Sequence, residues 1–280
     1  MIDTTDERPL LAGVCGYPIA QSRSPLLFAH WFKEYGIAGH YVPLRIRPAD
    51  FEEVIPALIR AGFRGLNVTI PHKQAALAIA DDVSPAASAI GAANTLIFGE
   101  DGTIHADNTD AFGFLANLRE GAPEWEPTSG PAVLLGAGGA ARAAVHVLLE
   151  AGVPELRLTN RTREKAEELA RHFGDRVHIV DWAERSDALA GAALIANSTS
   201  LGMIGNPPLE ISLEAAPADA VVTDMVYNPL ITPLLAEAKA RSMPIVDGLG
   251  MLLHQARPGF RAWFGRDPEI TDSLRARIAP

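Results

Sequence analysis

The feature that most constrains the fold is a glycine-rich turn at residues 133–143, which read VLLGAGGAARA. Apolar residues precede the turn, and an alanine-rich, helix-forming run follows it. In a turn of this kind, Gly136 permits the tight bend, Gly138 lets the backbone approach a ligand, and Ala141 lets the helix pack closely on the strand. The segment therefore predicts a strand, a turn and a helix in direct succession, which begin a βαβ unit with parallel strands.

Short apolar runs alternate with helix-like runs through most of the chain. In the first part we predict strands at 11–15, 40–44 and 65–69, helices at 25–35, 49–61 and from about residue 74, and a hairpin of 94–98 with 103–105. In the second part we predict strands at 132–135, 156–159, 177–180, 194–197, 221–224 and 245–247, and helices at 140–151, 162–173 and from Thr232-Pro233. Between them, residues 121–131 are rich in proline and glycine and predict a domain boundary. The sequence thus predicts two α/β domains, the first mostly parallel, with a ligand cleft between them.

Composition and charge exclude several classes of protein. The net charge of 24 − 34 = −10 argues against general binding to nucleic acid or to anionic membranes. Cys15 is the only cysteine and lies in an apolar run, so we predict a buried strand residue and no internal disulfide. Residues 1–9 are acidic and unlike a secretory signal, and no uncharged apolar run reaches the ~18–20 residues of a membrane helix. We expect a cytoplasmic protein without a metal site, in which His72 and His254 are packing or surface residues.

The glycine turn predicts a dinucleotide site, because a pyrophosphate would meet free N–H groups at the start of the helix. The predicted contacts are Gly136, Ala137, Gly138, Gly139 and Ala140. An NAD site usually has an acidic residue at the end of the next strand, about 20 residues further on.

At that position the chain has Asn160-Arg161-Thr162, with no carboxylate to repel a phosphate. An arginine there suits a 2′-phosphate, so we predict NADP as the cofactor of a Rossmann-type domain. A solvated first helical turn would explain Arg163 and Lys165 well, but it explains Asn160 and Arg161 less well.

Polar residues cluster at predicted strand ends in the first domain and suit a small polyhydroxylated ligand. They are Ser22, Ser24, Asn67, Thr69, Lys73, Asn94, Asp107, Asn108, Thr109 and Asp110, with Gln255 near the other end of the chain. Structural roles are also open: the two serines could cap the helix after Pro25, Asp110 could be an N-cap, and Lys73 could be a solvated lysine.

Seven motifs occur together and in order, and through them the chain resembles the shikimate and quinate dehydrogenase family. They are Ser22-x-Ser24-Pro25, Asn67-Val68-Thr69-x-Pro71-x-Lys73, Gly91-Ala92-x-Asn94-Thr95-Leu96, Asn108-Thr109-Asp110, Gly136-Ala137-Gly138-Gly139-Ala140, Asn160-Arg161-Thr162 and Asp247-Gly248-Leu249-Gly250-Met251. The resemblance extends from about residue 11 to the helix near Trp263.

The resemblance implies NADPH-dependent reduction of 3-dehydroshikimate to shikimate, on the route to chorismate and the aromatic amino acids. It implies that Lys73 and Asp110 are the catalytic pair. The implied substrate-binding residues are Ser22, Ser24, Thr69, Asn94, Tyr227 and Gln255, and those lining the nicotinamide side are Met225 and Gly248. It further implies a substrate domain of residues 1–118 completed by helices in 251–280, an NADP domain of 119–250, and a monomer or homodimer.

The chemistry suits this assignment, because a ketone that accepts a hydride becomes an alkoxide and must gain a proton. A positioned lysine can exchange that proton and stabilise the negative charge. The chain departs from the family at Phe28, where a histidine is usual, and at Ala106, where glycine is common.

Two alternatives stay open at this stage. One is a quinate/shikimate dehydrogenase of broader specificity, although the serine pair favours shikimate. The other is a non-catalytic NADP-binding regulatory protein on the same fold. The presence of both Lys73 and Asp110 argues against the second alternative.

Overall fold

A computed structural model describes residues 10–280, and the chain forms two compact α/β units. The first unit extends to Thr109 and includes Ala256–Leu274, and the second comprises Asp110–Gln255 and Arg275–Pro280. Each unit contains a six-stranded sheet, so the predicted α/β class is confirmed. No helix within the described residues is both long and apolar enough to cross a membrane.

The first unit is a mixed sheet with helices between its strands. The strands are β1 Leu10–Gly16, β2 Gly39–Arg45, β3 Phe63–Val68, β4 Asp82–Val83, β5 Thr95–Phe98 and β6 Ile104–Asp107, and the helices are α1 Ser24–Tyr35, α2 Phe51–Arg60, α3 Lys73–Ala78 and α4 Pro85–Ile90. The strand order is β2-β1-β3-β5-β6-β4. Strands β1, β2 and β3 are parallel, whereas β5 is antiparallel to β3 and β6 and forms the predicted hairpin.

Buried aromatic and aliphatic side chains form the core of the first unit. Cys15 is fully buried in it as predicted, and burial raises the pKa of its thiol to about 12. Residues 256–274 return to this core: Trp263 is buried, and its Nε1 donates to the carbonyl of Leu96 at 3.1 Å. Gly65 makes room for the indole, because an added Cβ would lie 2.1 Å from Trp263 Nε1.

The second unit is a fully parallel sheet in the order β12-β11-β10-β7-β8-β9. Its strands are β7 Ala132–Leu135, β8 Leu156–Thr159, β9 Val177–Val180, β10 Leu194–Asn197, β11 Val221–Asp224 and β12 Ile245–Val246. Its helices are α5 Asp110–Gly121, α6 Gly139–Glu150, α7 Arg163–Phe173 and α8 Pro233–Ala240. This strand order is that of a Rossmann fold, in which ligands bind where the order reverses, between β7 and β10.

Two further helices follow in the described residues: α9, Leu249–Phe264, and α10, Asp272–Ile278. Helix α5 packs in the core of the second unit through Phe114 and Leu118. Helix α8 begins at Pro233 and is capped as predicted by Thr232, whose hydroxyl accepts the N–H of Leu235 at 3.4 Å.

Candidate active site

The predicted substrate residues of the first unit gather at one edge of its sheet. Strands β1, β3 and β6 all end at this edge, and β5 begins there, because Asn67 in β3 pairs with Thr95 and Thr95 pairs with Asp107. Thr69 follows the end of β3 and Asn94 precedes β5. Sequence positions far apart are therefore brought together by strand pairing.

Lys73 is the first residue of α3 and is held at this edge by its backbone. Its carbonyl accepts the N–H of Ala93 at 2.9 Å, and the carbonyl of Asn94 accepts the N–H of Val68 at 2.7 Å. The preceding residue, His72, is buried, as expected for a packing residue. These bonds fix where the Lys73 side chain leaves the main chain.

His72, which directly precedes Lys73, packs into the interior of the first unit. Its ring stacks on Phe51 with centroids 4.7 Å apart, and its Nε2 lies 2.9 Å from the carbonyl oxygen of Ile46. Burial lowers the pKa of His72, which favours the neutral imidazole.

A chain of buried polar side chains orients Asn94. Its Nδ2 donates to Thr109 Oγ1 at 3.1 Å, and its Oδ1 accepts the N–H of Thr109 at 2.8 Å. Thr95 Oγ1 accepts from Asn67 Nδ2 at 3.1 Å, and Asn67 Oδ1 accepts the Tyr41 hydroxyl at 2.6 Å. Burial raises the pKa of Tyr41 well above its ordinary range, so it remains a donor.

Sequence reasoning missed Tyr41 and Thr95 in this network. The one available signal was Tyr41 itself, a phenol on an inward-facing position of β2. A buried phenol needs a hydrogen-bond partner, but sequence does not show which residue supplies it.

Serines 22 and 24 follow β1 at the start of α1. Ser22 Oγ accepts the N–H of Ser24 at 3.4 Å, while Ser24 is the first helical residue and is buried. The capping position itself is Arg23, which makes no side-chain capping bond. If the two serines were capping residues, both should accept N–H groups of the first turn of α1. Only Ser22 does so, through one long hydrogen bond, and Ser24 makes no such bond.

In the second unit, Asp110 and Gln255 lie on two helices that touch each other. Asp110 is the first residue of α5, inside the helix instead of at the capping position before it, and both side chains are buried. An added Cβ on Gly113 would lie 2.7 Å from Gln255 Cβ, so only glycine allows this approach. The start of α5 and the side of α9 are thereby held together.

The glycine turn has the geometry that a dinucleotide requires. Gly136 has φ +110°, and an added Cβ would lie 2.6 Å from Ser198 Oγ, so the fold itself requires glycine there. Gly138 precedes α6 with φ −93°, and an added Cβ would meet no described atom within 4 Å. The space beside Gly138 and the free N–H groups of α6 suit a pyrophosphate.

A run of polar residues at the end of β10, Asn197 to Ser200, lies beside this turn and was not singled out from sequence. Asn197 Oδ1 accepts the N–H of Thr199 at 3.0 Å and its hydroxyl at 2.7 Å. Ser198 Oγ donates to the carbonyl of Leu135 at 2.8 Å. The available signal was a predicted strand followed directly by Ser-Thr-Ser. Because β10 pairs with β7, these residues lie next to the glycine turn that follows β7.

The residues predicted for the 2′-phosphate follow β8. Asn160 Nδ2 donates to the carbonyl of Thr162 at 2.7 Å, which closes the turn. Arg163 is paired with Glu167 at 3.0 Å and also with Asp181. Arg161 is exposed and has no ion pair with any residue in 10–280, so its guanidinium is available to a phosphate.

Met225, Tyr227 and Gly248 are placed at the end of β11. An added Cβ on Gly248 would lie 2.6 Å from the carbonyl oxygen of Met225, so the two backbones are in contact. The loop that carries Tyr227 starts with the N–H of Val226 donating to Asp224 Oδ1 at 2.9 Å.

Asp224, beneath that loop, is a buried carboxylate with three donors. Besides Val226, Asn197 Nδ2 donates to it at 3.0 Å and the Thr232 hydroxyl at 2.7 Å. Burial nevertheless outweighs these bonds and raises the pKa of Asp224 to about 6.

A Rossmann-order sheet with an open glycine turn at its switch point, joined to a second α/β unit, defines the class of two-unit dinucleotide-binding α/β proteins. Three family models cover most of the chain. The shikimate dehydrogenase substrate binding domain matches residues 14–96, shikimate / quinate 5-dehydrogenase matches 126–225, and the shikimate 5′-dehydrogenase C-terminal domain matches 248–273.

Individual proteins give the same result. The chain is 57% identical over 280 residues to a protein of Paracoccus denitrificans named shikimate dehydrogenase (NADP(+)), covering 99% of each. It resembles the Thermus thermophilus shikimate 5-dehydrogenase solved with NADP(H) and shikimate (37% identity, 96% and 98% of the chains, TM-score 0.84). It also resembles the Corynebacterium glutamicum quinate dehydrogenase solved with NAD (31% identity, 96% and 98% of the chains, TM-score 0.89). The chain belongs to the shikimate dehydrogenase family.

Proposed function

We propose that the protein catalyses the reversible, NADPH-dependent reduction of 3-dehydroshikimate to shikimate, a step toward chorismate and the aromatic amino acids. The observation that carries the proposal is full-length identity of 57% to a shikimate dehydrogenase (NADP(+)), with Lys73 held at a polar sheet edge. We expect it to act in the cytoplasm as a monomer or homodimer.

Lys73 and Asp110 are the proposed catalytic pair. NADPH, when bound, supplies the hydride that the ketone carbon accepts. The Lys73 ammonium then gives a proton to the resulting alkoxide oxygen, and in the oxidation direction the neutral amine takes it back. Asp110 follows Thr109 directly, and Thr109 is bonded to Asn94 at the same strand end as Lys73. We assign Asp110 to orient the lysine and to accept a hydrogen bond from a substrate hydroxyl.

The remaining polar groups bind substrate and cofactor. In this proposal the carboxylate and hydroxyls of shikimate are held by Ser22, Ser24, Thr69, Asn94, Tyr227 and Gln255. The pyrophosphate is held at Gly136–Ala140, the 2′-phosphate by Asn160, Arg161 and Thr162, and the nicotinamide by Met225 and Gly248. The hydroxyl- and amide-rich set provides the many hydrogen bonds that a polyhydroxylated acid requires.

Quinate oxidation is the second candidate, because the quinate dehydrogenase of Corynebacterium glutamicum has a similar fold. Two features of the present chain favour shikimate and NADP: the Ser22 and Ser24 pair, and the absence of a carboxylate at Asn160.

The test is an absorbance assay of NADPH formation in four mixtures, shikimate or quinate with NADP⁺ or NAD⁺. We expect fast reduction only with shikimate and NADP⁺. Comparable rates with quinate or NAD⁺ would assign the protein to the broader-specificity branch. No reaction in any mixture, with NADP⁺ still bound, would support the regulatory alternative.

Replacement of Lys73 tests the proton role. Because the ammonium acts mainly on the alkoxide, Lys73→Ala should lower kcat about 10²–10⁴-fold while KM for shikimate changes much less. The control is Lys33→Ala, which removes an exposed lysine from the last turn of α1. An equal loss in kcat and affinity, or no loss, contradicts the role.

A further inference from the structure

The turn that precedes α9 is held by an ion pair from the last helix. Arg275 Nη2 donates to both carboxylate oxygens of Asp247, at 2.7 and 2.6 Å. Asp247 Oδ1 also accepts the N–H of Leu249 at 3.0 Å and so starts the helix. The Asp247 side chain is 16% exposed and that of Arg275 33%. Charge-assisted bonds of this length on a partly buried carboxylate restrict its position.

The same turn is seated on α5 by Asn117. Asn117 is buried, and its Nδ2 donates to the carbonyl of Asp247 at 2.7 Å. An added Cβ on Gly250 would lie only 1.9 Å from Asn117 Oδ1, so the turn fits against this amide with no space left. The turn, residues 247 and 248, and the first two residues of α9 are therefore clamped from two directions.

What the clamp holds in place is Gly248. An added Cβ on Gly248 would lie 2.6 Å from the Met225 carbonyl oxygen and 2.7 Å from that of Asp224. Any displacement of residues 247–250 thus changes the spacing of Gly248 and Met225. The match to the family's C-terminal domain ends at residue 273, before Arg275.

We propose that Arg275 and Asp247 are positioning residues for the cofactor: their ion pair holds Gly248 against Met225 and thereby sets the affinity for NADP. This inference rests on the proposed function, which places the nicotinamide beside Met225 and Gly248. Arg275 acts through Asp247 and needs no contact with either substrate.

The test compares Arg275→Ala and Arg275→Lys with Arg277→Ala, which removes an exposed arginine from the same helix. Arg275→Ala should raise KM for NADP⁺ and the Kd of NADPH, measured by fluorescence titration, by about 3–30-fold. KM for shikimate should rise less than KM for NADP⁺, because four of the six proposed substrate-binding residues lie in the first unit, which the substitution leaves untouched. Arg275→Lys keeps the positive charge but cannot bond to both carboxylate oxygens in the same way, so its Kd for NADPH should lie between those of the wild type and Arg275→Ala. Arg277→Ala should match the wild type.

Asp247→Asn provides a second, coupled measurement. If the ion pair acts as a unit, the effect of Arg275→Ala on the Kd of NADPH should be much smaller in the Asp247→Asn background. Circular dichroism at the assay temperature establishes that each variant is folded.

Specific outcomes overturn the inference. If Arg275→Ala lowers the Tm but leaves the Kd of NADPH unchanged, the ion pair is structural only. If it raises both KM values equally, the effect is not on the cofactor turn. Should the wild type itself bind no NADPH, the proposed function fails, and that result is distinct because it does not depend on Arg275.

Discussion

Phe28 shows how one residue can be replaced without losing a neighbouring network. The resemblance to the family led us to expect a histidine at this position, whereas Phe28 is fully buried and stacks on Tyr41 with ring centroids 3.7 Å apart. It also contacts Trp31 and Phe260. The ring of Phe28 holds the Tyr41 phenol in place, and the Tyr41 hydroxyl donates to Asn67. Tyr41 is therefore oriented by aromatic packing and needs no hydrogen bond from residue 28.

Asp224 is the residue from which a pH dependence of stability follows. Its pKa rises from 3.8 to about 6 on burial, so the folded protein holds this proton more tightly than the unfolded chain. The stabilising contribution of Asp224 is therefore complete below about pH 4 and is lost as the pH rises through about 6. Asp224→Asn removes the titration. Its stability relative to wild type should increase by about 2–3 kcal/mol between pH 4 and pH 7.

Urea unfolding followed by circular dichroism at a series of pH values measures this difference. The amide can keep the pattern of bonds, because it accepts from Val226 and Asn197 and donates to the Thr232 hydroxyl, which can also accept. The exposed Asp219→Asn is the control. A stability difference that is independent of pH for Asp224→Asn would show that its pKa is not raised.

At the scale of an element, the glycine turn contains one glycine that the fold needs and one that it does not. Gly136 has φ +110° and no room for a side chain, so Gly136→Ala should destabilise the second unit by about 1–3 kcal/mol. Gly138 has an ordinary φ and open space, so Gly138→Ala should change stability by less than about 0.5 kcal/mol.

The two variants should separate again in cofactor binding. An added methyl at Gly138 projects into the space proposed for the pyrophosphate, and we expect the Kd of NADPH to rise at least about tenfold with an unchanged Tm. Fluorescence titration and thermal melting of the same samples measure both quantities. Unchanged NADPH binding in Gly138→Ala would place the pyrophosphate elsewhere.

At the scale of the whole molecule, the chain returns to its first unit after completing the second. Trp263, contributed by this return, is buried against Gly65 and bonds to Leu96 of β5. Trp31 in turn donates to the carbonyl of Glu269 at 3.1 Å. The core of the first unit is therefore complete only when residues 256–274 have packed against it.

Truncation of Trp263 measures how much this return contributes. Trp263→Ala leaves a large cavity and should destabilise the first unit by about 3–5 kcal/mol. Trp263→Phe keeps most of the volume but removes the indole N–H that donates to the Leu96 carbonyl, at a cost of about 0.5–1.5 kcal/mol. Urea unfolding followed by circular dichroism gives both values, with Trp182→Phe in the second unit as the control. If Trp263→Ala lowers the free energy of unfolding by less than about 1 kcal/mol, Trp263 is not a main contributor to the stability of the first unit.

Local features of the sequence predicted most of the elements. The run from β7 through the glycine turn into α6 was predicted almost to the residue, because apolar spacing and glycine chemistry act within a few residues of one another. The two-residue strand β4 and the short helix α4 were not predicted. Their length gives no periodicity, and β4 exists only because β6 lies beside it.

The residue types of the candidate site were also readable, since Lys73, Asn94 and Asp110 stand at strand ends and helix starts. The hydrogen-bond and ion-pair partners of the site residues could not be predicted from the sequence. Tyr41 bonds to Asn67 across 26 positions and Arg275 bonds to Asp247 across 28. A hydrogen bond of this kind depends on which strands pair and which helices pack, and no local pattern encodes it.

The sequence by itself determined the α/β class, the dinucleotide turn and the family, because periodicity, glycine conformation and motif order are properties of neighbouring residues. Tertiary structure alone decided that α5 packs in the second unit, that Asp224 is buried with three donors, and that Arg275 clamps the turn at Gly248. The physical reason is that burial and long-range contact arise only when distant segments pack together, and the same carboxylate or guanidinium in an unfolded chain would be solvated.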